Sequence, residues 1–155
     1  MRLLLCGTRN WPGAWEDIAV HLPEDGADVT ILHGACSNVV IRDGHRVQVS
    51  VDTIVDWIAH GLGWLTERFP ADWQRDGKSA GPKRNARMLA EGKPDRGIAF
   101  GALYRSKSTA TSKTWKRTGT GDMVNRMLRA GLPVRWIEKP GAHAIDLTEM
   151  PRPAK

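Results

Sequence analysis

Apolar positions along this chain follow two spacings, and the alternation between them sets out its elements. Short unbroken runs have the length of buried strands: Arg2 to Cys6, Val29 to Leu32, Trp64 to Phe69, Arg96 to Gly101 and Val134 to Ile137. Between them the apolar residues fall once per helical turn. Trp15, Ile18, Ala19 and Leu22 recur at i, i+3, i+4 and i+7, and Pro23 closes that helix. Val51, Ile54, Val55, Ile58, Ala59 and Leu62 keep the same period, with Ser50 in the capping position and Gly63 beyond the end. Gly81-Pro82-Lys83-Arg84-Asn85 opens a third helix that Gly92 stops, because proline suits a first turn whose N–H groups lack partners anyway. Thr120 is placed to cap a fourth, with Val124, Met127 and Leu128 facing inward, Gly131 at its end and Pro133 just after.

Four stretches break this rhythm. Two β-rich arms around Asp43-Gly44 predict a hairpin inserted over residues 38–49. Pro70 to Ser79 reads as a loop, and the Ser-, Thr- and Lys-rich residues 104–118 as a mobile basic loop. From Glu138 the chain carries three prolines and reads as an extended or loosely packed appendage. The resulting order, β-α-β-hairpin-α-β-α-β-α-β, predicts an α/β protein of one domain over residues 1–138, with a tail at 139–155. Its expected fold is a Rossmann-like three-layer α/β/α sandwich on a mainly parallel sheet of about five strands with right-handed crossovers.

Each strand end that matters is followed by glycine: Gly7-Thr8-Arg9, Gly34-Ala35, Gly101, and later Gly119-Thr120-Gly121-Asp122. In such a sheet, ligands bind beyond the carboxyl ends of the strands, where the strand order reverses. Glycine lets a backbone approach a phosphate that a Cβ would hold off. Gly7, Thr8 and Arg9 put backbone donors, a hydroxyl and a guanidinium in consecutive positions. The helix start at Gly119, Thr120 and Gly121 offers amides and a favourable dipole, with the amides of Gly121 and Asp122 singled out for phosphate. Asp122 itself repels phosphate, but as an acceptor it suits a ribose hydroxyl or proton transfer. Arg84 and Asn85 lie in a first helical turn, where the dipole mildly disfavours an arginine, so phosphate binding competes with a surface ion pair as the reason for it. Asp52 is either a dipole-stabilising acid or a ribose contact. Asp72 and Trp73 offer a carboxylate and a ring that either serve a pocket or anchor a loop.

Composition narrows the class. The 155 residues, 41% hydrophobic, are enough for one core that buries about 70% of the unfolded chain's surface. No apolar run approaches the roughly 20 residues of a membrane span, and the opening apolar run is too short for a signal peptide, so a cytoplasmic protein with no membrane contact is expected. Cys6 and Cys36 are too few for a disulfide framework and are expected as buried thiols. The five histidines lack paired ligand spacing, so no metal site is expected. A formal charge of +6 and a pI near 9.7 favour anionic partners. The charge is concentrated: Ile98 to Gly121 holds no acid but includes Arg105, Lys107, Lys113, Lys116 and Arg117, interleaved with Tyr104 and Trp115. That mixture suits either a solvated loop or a surface for single-stranded nucleic acid.

Gly7-Thr8-Arg9-Asn10-Trp11, His33-Gly34-Ala35, Ala71-Asp72-Trp73, Gly81-Pro82-x-Arg84-Asn85 and Gly119-Thr120-Gly121-Asp122, in this order, resemble the YspA, or cpYpsA-related, branch of the SLOG superfamily. The likeness spans most of Met1 to Glu138 apart from the hairpin and the basic loop. It implies a Rossmann-like fold that binds nucleotides or nucleotide-derived ligands. Relatives include the LOG phosphoribohydrolases, which cut the N-glycosidic bond of nucleoside monophosphates, and the DprA proteins, which bind single-stranded DNA. Arg84 matches the LOG arginine. The LOG signature PGGxGTxxE is broken here: Lys116-Arg117-Thr118 precede Gly119, and Met123 stands at the glutamate position, where it cannot exchange a proton.

The expected ligand is a nucleotide or nucleotide-derived molecule, with no further cofactor. Its cradle would draw on Gly7, Thr8, Arg9, Gly34, Ala35, Asp52, Asn85, Gly119, Thr120 and Gly121. An N-glycosidic hydrolysis would use Arg84 on the phosphate and Asp122 or Asp72 assisting water. The alternative is a non-catalytic, DprA-like binder of single-stranded nucleic acid using the basic loop with Arg42 and Arg46. A homodimer is expected in either case.

Overall fold

Leu3 and Leu5 pack on one side of their strand, and Leu4 and Cys6 on the other, so the first strand is buried on both faces. The computed structural model describes residues 1–24 and 28–153. Its central sheet has six strands, β1 (Arg2–Gly7), β2 (Thr30–His33), β5 (Leu65–Arg68), β6 (Arg96–Phe100), β9 (Val134–Ile137) and β10 (Ile145–Leu147), in the spatial order β10-β9-β6-β1-β2-β5. All neighbours are parallel except β10, which runs antiparallel to β9. This is the expected Rossmann-like α/β architecture, and the order reverses between β1 and β6. The first face carries a core around Trp11, Ile18, Ile31, Phe100 and the helix α2 (Val51–Gly61). The second carries Leu32, Met88, Met123 and Met127 under α4 (Ala80–Gly92) and α5 (Gly119–Arg129).

The inserted hairpin forms as β3 (Val39–Arg42) and β4 (His45–Gln48), with Asp43 and Gly44 both at positive φ in the turn. Elsewhere the chain is more ordered than its composition suggests. The helix expected from Trp15 to Leu22 is a single turn, α1 (Glu16–Ala19), because only Ile18 of that stripe is fully buried while Trp15 stays exposed. The stretch from Pro70 to Ser79 contains α3 (Trp73–Asp76) and a 3₁₀ turn, Gly77–Ser79, started by the Asp72 carboxylate accepting from the Arg75 amide at 3.0 Å. The basic loop folds into a second hairpin, β7 (Tyr104–Ser106) and β8 (Trp115–Arg117), whose connection is closed by the Lys107 amide donating to the Thr114 carbonyl at 2.8 Å. The stretch read as an appendage supplies β10, fixed to β9 by Arg135 on Asp146 at 2.9 Å; residues 154 and 155 lie outside the described residues.

Caps also differ in detail. Thr118, not Thr120, caps α5: its hydroxyl accepts from the Gly121 amide at 2.9 Å, while Thr120 is buried inside the first turn. Ser50 holds the expected position, but its hydroxyl donates to the Cys36 carbonyl and makes no cap bond. After Gly92 it is Lys93 that takes the left-handed conformation. Among the described residues no helix is long and apolar enough to cross a membrane.

Asp76 ties α3 to α4, accepting from Arg75 at 2.9 Å and from Lys83 at 2.8 Å, and these hydrogen bonds hold its carboxyl down at about 2. A depressed carboxyl stabilises the fold above its ordinary value of 3.8 and loses that contribution as the pH falls toward 2. The D76N variant should therefore melt at a lower temperature than the parent at pH 7, and the gap should close by about pH 2. Calorimetric melts across that range check it; a pH-independent gap would contradict it.

Candidate functional site

The carboxyl ends of β1, β2 and β6 open into one cavity of about 1020 Å³. That is the upper end of the roughly 300–1,000 Å³ usual for small-molecule sites. Its floor includes the buried residues Cys6, Gly34, Asp52, Asn85, Met88 and Thr120, and its mouth includes the exposed Arg9, Trp73, Lys78, Arg105, Lys116 and Arg117.

Arg84 is the cation of the floor. Its Nη1 donates to the Gly34 carbonyl, its Nε donates to Asn85 Oδ1 at 2.9 Å, and both terminal nitrogens lie within 3.9 Å of Cys36 Sγ. No carboxylate among the described residues forms an ion pair with it. The seat exists because residue 34 is glycine: a Cβ there would stand 1.8 Å from Arg84 Nη1. Asn85, 3% exposed, carries the lock onward by donating to Asp122 Oδ2 at 3.0 Å and to the Gly119 carbonyl at 3.3 Å. Arg126 closes the chain on Asp122 at 2.8 Å. The first turns of two helices are thus held in register around one guanidinium.

The expected cradle is only partly made of free amides. The Gly121 amide is taken by the Thr118 hydroxyl and the Asp122 amide by the Thr118 carbonyl, which leaves the Gly119 and Thr120 amides of α5 without an acceptor among the described residues. Gly121 turns away from the cavity, because its Cα sits against the Leu103 carbonyl, where a Cβ would come within 2.0 Å. The Ala35 amide donates to His33 Nδ1 at 3.1 Å, and Ala35, at φ 55, does not line the cavity. His33 in turn holds Asp56 at 3.0 Å through Nε2, so this buried histidine shapes the turn that presents the Gly34 carbonyl. Gly7 is needed for packing, since a Cβ would meet Val51 at 2.6 Å, and the Thr8 amide is bonded to the Phe100 carbonyl at 2.9 Å. What Thr8 offers is its hydroxyl, which accepts from the Asn10 amide and keeps its own hydrogen for a ligand.

Of the remaining candidates, Arg9 reaches the mouth and stacks its guanidinium 5.2 Å from the Trp73 ring centroid. Asp72 lies outside the cavity, in a shallow groove with Pro70 and Arg87, where it caps α3. Arg42 and Arg46 do not reach the cavity either; Arg42 donates to the Trp11 carbonyl at 3.1 Å. Sequence reasoning named the residues of the β7–β8 hairpin only as a loop or a nucleic-acid surface, not as a wall of this cavity. It also missed Cys36, whose thiol lies beside Arg84, and Lys78 on the 3₁₀ turn. Asp52 is 5% exposed, accepts from the Cys36 amide at 3.1 Å and has no ion-pair partner among the described residues. Burial pushes its carboxyl up, against the opposing pull of the Cys36 amide, His33 and Arg84. Burial likewise pushes the Cys6 thiol up, so that group is not a ready nucleophile. No group of three or more His, Cys, Asp or Glu side chains placed to hold a metal occurs among the described residues.

Two variants probe this geometry. Gly34→Ala should evict the guanidinium at a cost toward the low end of about 1–3 kcal/mol, because the clashing atoms are the far end of a flexible side chain. A large loss of stability in urea melts would show that the seat is structural. For Asp52, a raised carboxyl means the folded state holds the proton more strongly, so stability falls as the pH rises above 3.8. D52N, whose amide oxygen still accepts from Cys36, should lack that decline and match or exceed the parent at pH 7; a lower melting temperature there would contradict it.

No protein-family model matches this chain, and no curated protein shows significant similarity to it.

Proposed function

We propose that this protein binds a nucleotide or nucleotide-derived ligand at the carboxyl edge of its sheet, with a phosphate on Arg84 and on the Gly119 and Thr120 amides. One observation carries the reading: a half-buried guanidinium, fixed by a carbonyl and an amide oxygen and with no carboxylate among the described residues within ion-pair distance, faces a cavity that also receives a helix start. A positive charge drawn partly out of bulk water without a directly paired counter-ion is stabilised when an anion arrives, and a planar guanidinium suits a phosphate in two-point contact. The helix dipole adds about 0.3–1 kcal/mol at such a position. The family assignment to the SLOG superfamily belongs to the same proposal and rests on the five short motifs.

For turnover, the reaction to assay is hydrolysis of an N-glycosidic bond. Of the two carboxylates named for assisting water, Asp122 lines the cavity and Asp72 does not. Asp122 is already neutralised by Arg126, which favours a ligand-orienting part for it over proton transfer.

Calorimetric titration with a panel of nucleoside 5′-monophosphates, combined with chromatography for released base, tests the reading. At least one should bind, and Arg84→Ala should weaken it by about 10–100-fold, the worth of one or two charge-assisted hydrogen bonds. Binding that is indifferent to Arg84, in a variant with an unchanged circular dichroism spectrum, would refute the assignment.

A further inference from the structure

The charge around this cavity exceeds what one phosphate can use. Arg9, Lys78, Arg84, Arg105, Lys116 and Arg117 all line it, and none of the ion pairs among the described residues involves any of them. Arg84 sits half-buried on the floor, while the other five are exposed at the mouth. They come from three separate segments: the turn after β1, the 3₁₀ turn before α4, and both arms of the β7–β8 hairpin. Against them the cavity sets only Asp52 and Asp122, the second already paired with Arg126. Five like charges gathered at one opening repel each other, and a multiply charged partner relieves that repulsion.

The mouth is also aromatic. Trp73 is 49% exposed beneath Arg9, and Tyr104 and Trp115 stand half-buried on the hairpin, with Lys113 5.3 Å from the Trp115 ring centroid. Alternating cations and ring faces track a backbone of phosphates and stack the bases between them. Inorganic polyphosphate would leave the rings unused, and a mononucleotide seated on Arg84 would leave the mouth unneutralised.

Building on the nucleotide reading above, we propose that the cavity is the end subsite of a longer groove whose ligand is a short single-stranded oligonucleotide. Its terminal 5′-phosphate rests on Arg84, and its following phosphates and bases leave across Trp73 and the β7–β8 hairpin. The hairpin is then the wall that distinguishes chain length.

Titrations with thymidine 5′-phosphate, its 5′-phosphorylated dimer and tetramer, the tetramer lacking the 5′-phosphate, and tripolyphosphate test this. Affinity should climb about tenfold or more from monomer to phosphorylated tetramer, and the tetramer's binding should fall more steeply with salt. Removing the terminal phosphate should cost about tenfold. The variant R105A/K116A/R117A changes exposed side chains that make no hydrogen bonds among the described residues, and should bring the tetramer down to monomer affinity while leaving the monomer within about twofold. Equal affinity for monomer and tetramer, indifference to the terminal phosphate, tripolyphosphate binding as tightly as the tetramer, or an unaffected triple variant would each overturn the proposal. Monomer binding without gain on lengthening refutes the longer ligand alone; no binding of any probe here or of any member of the nucleoside monophosphate panel refutes the nucleotide reading as well.

Discussion

The contact between the Arg84 guanidinium and the Gly34 carbonyl fixes the geometry on which the rest of the site depends. It joins α4 to the end of β2 across a space that any side chain at position 34 would fill. Asn85 extends it to the start of α5, so three chain segments far apart in sequence share one hydrogen-bonded chain. Because carbonyl and amide oxygens hold the guanidinium, its charge is oriented but not cancelled. This separates Arg84 from Arg2, Arg68, Arg75, Arg126 and Arg135, each of which lies against a carboxylate.

The sheet explains why the chain can maintain such an arrangement. Both faces of β1 are buried, one under α2 and the other under α4 and α5, so the ends of β1 and β6 form a rigid platform. A charged floor placed there cannot relax by moving the strands. The glycines serve this platform more than the ligand: Gly7 admits Val51 and Gly121 admits the Leu103 carbonyl. The amides left open are those of Gly119 and Thr120, two residues earlier in α5 than the sequence indicates, because the capping threonine is Thr118.

Most of the architecture was legible in the sequence because buried parallel strands and amphipathic helices imprint their periods directly. Strand β1, the helices α2, α4 and α5, and the hairpin β3–β4 all follow from such patterns. What was not legible depends on partners distant in sequence. The pairing of β7 with β8 joins two polar arms with no alternating apolar face, and β10 is a three-residue edge strand laddered to β9 and tied to it by one ion pair. At the site, Arg84, Arg9, Thr8 and Asp52 were identifiable by residue type and strand-end position. The use of the Ala35 amide by His33 and the isolation of Asp72 were not, since each turns on a hydrogen bond to a local partner that composition does not rank.

The central claim is that an anion is held jointly by Arg84 and the open amides of α5. Its most direct test is a nitrogen-15 NMR titration with thymidine 5′-phosphate, following the Gly119 and Thr120 amides and the Arg84 side-chain Nε–H. The account predicts that these three resonances move together and saturate at one concentration, as the nucleotide enters. Shifts confined to other surfaces, with these three unmoved at saturation, would contradict it.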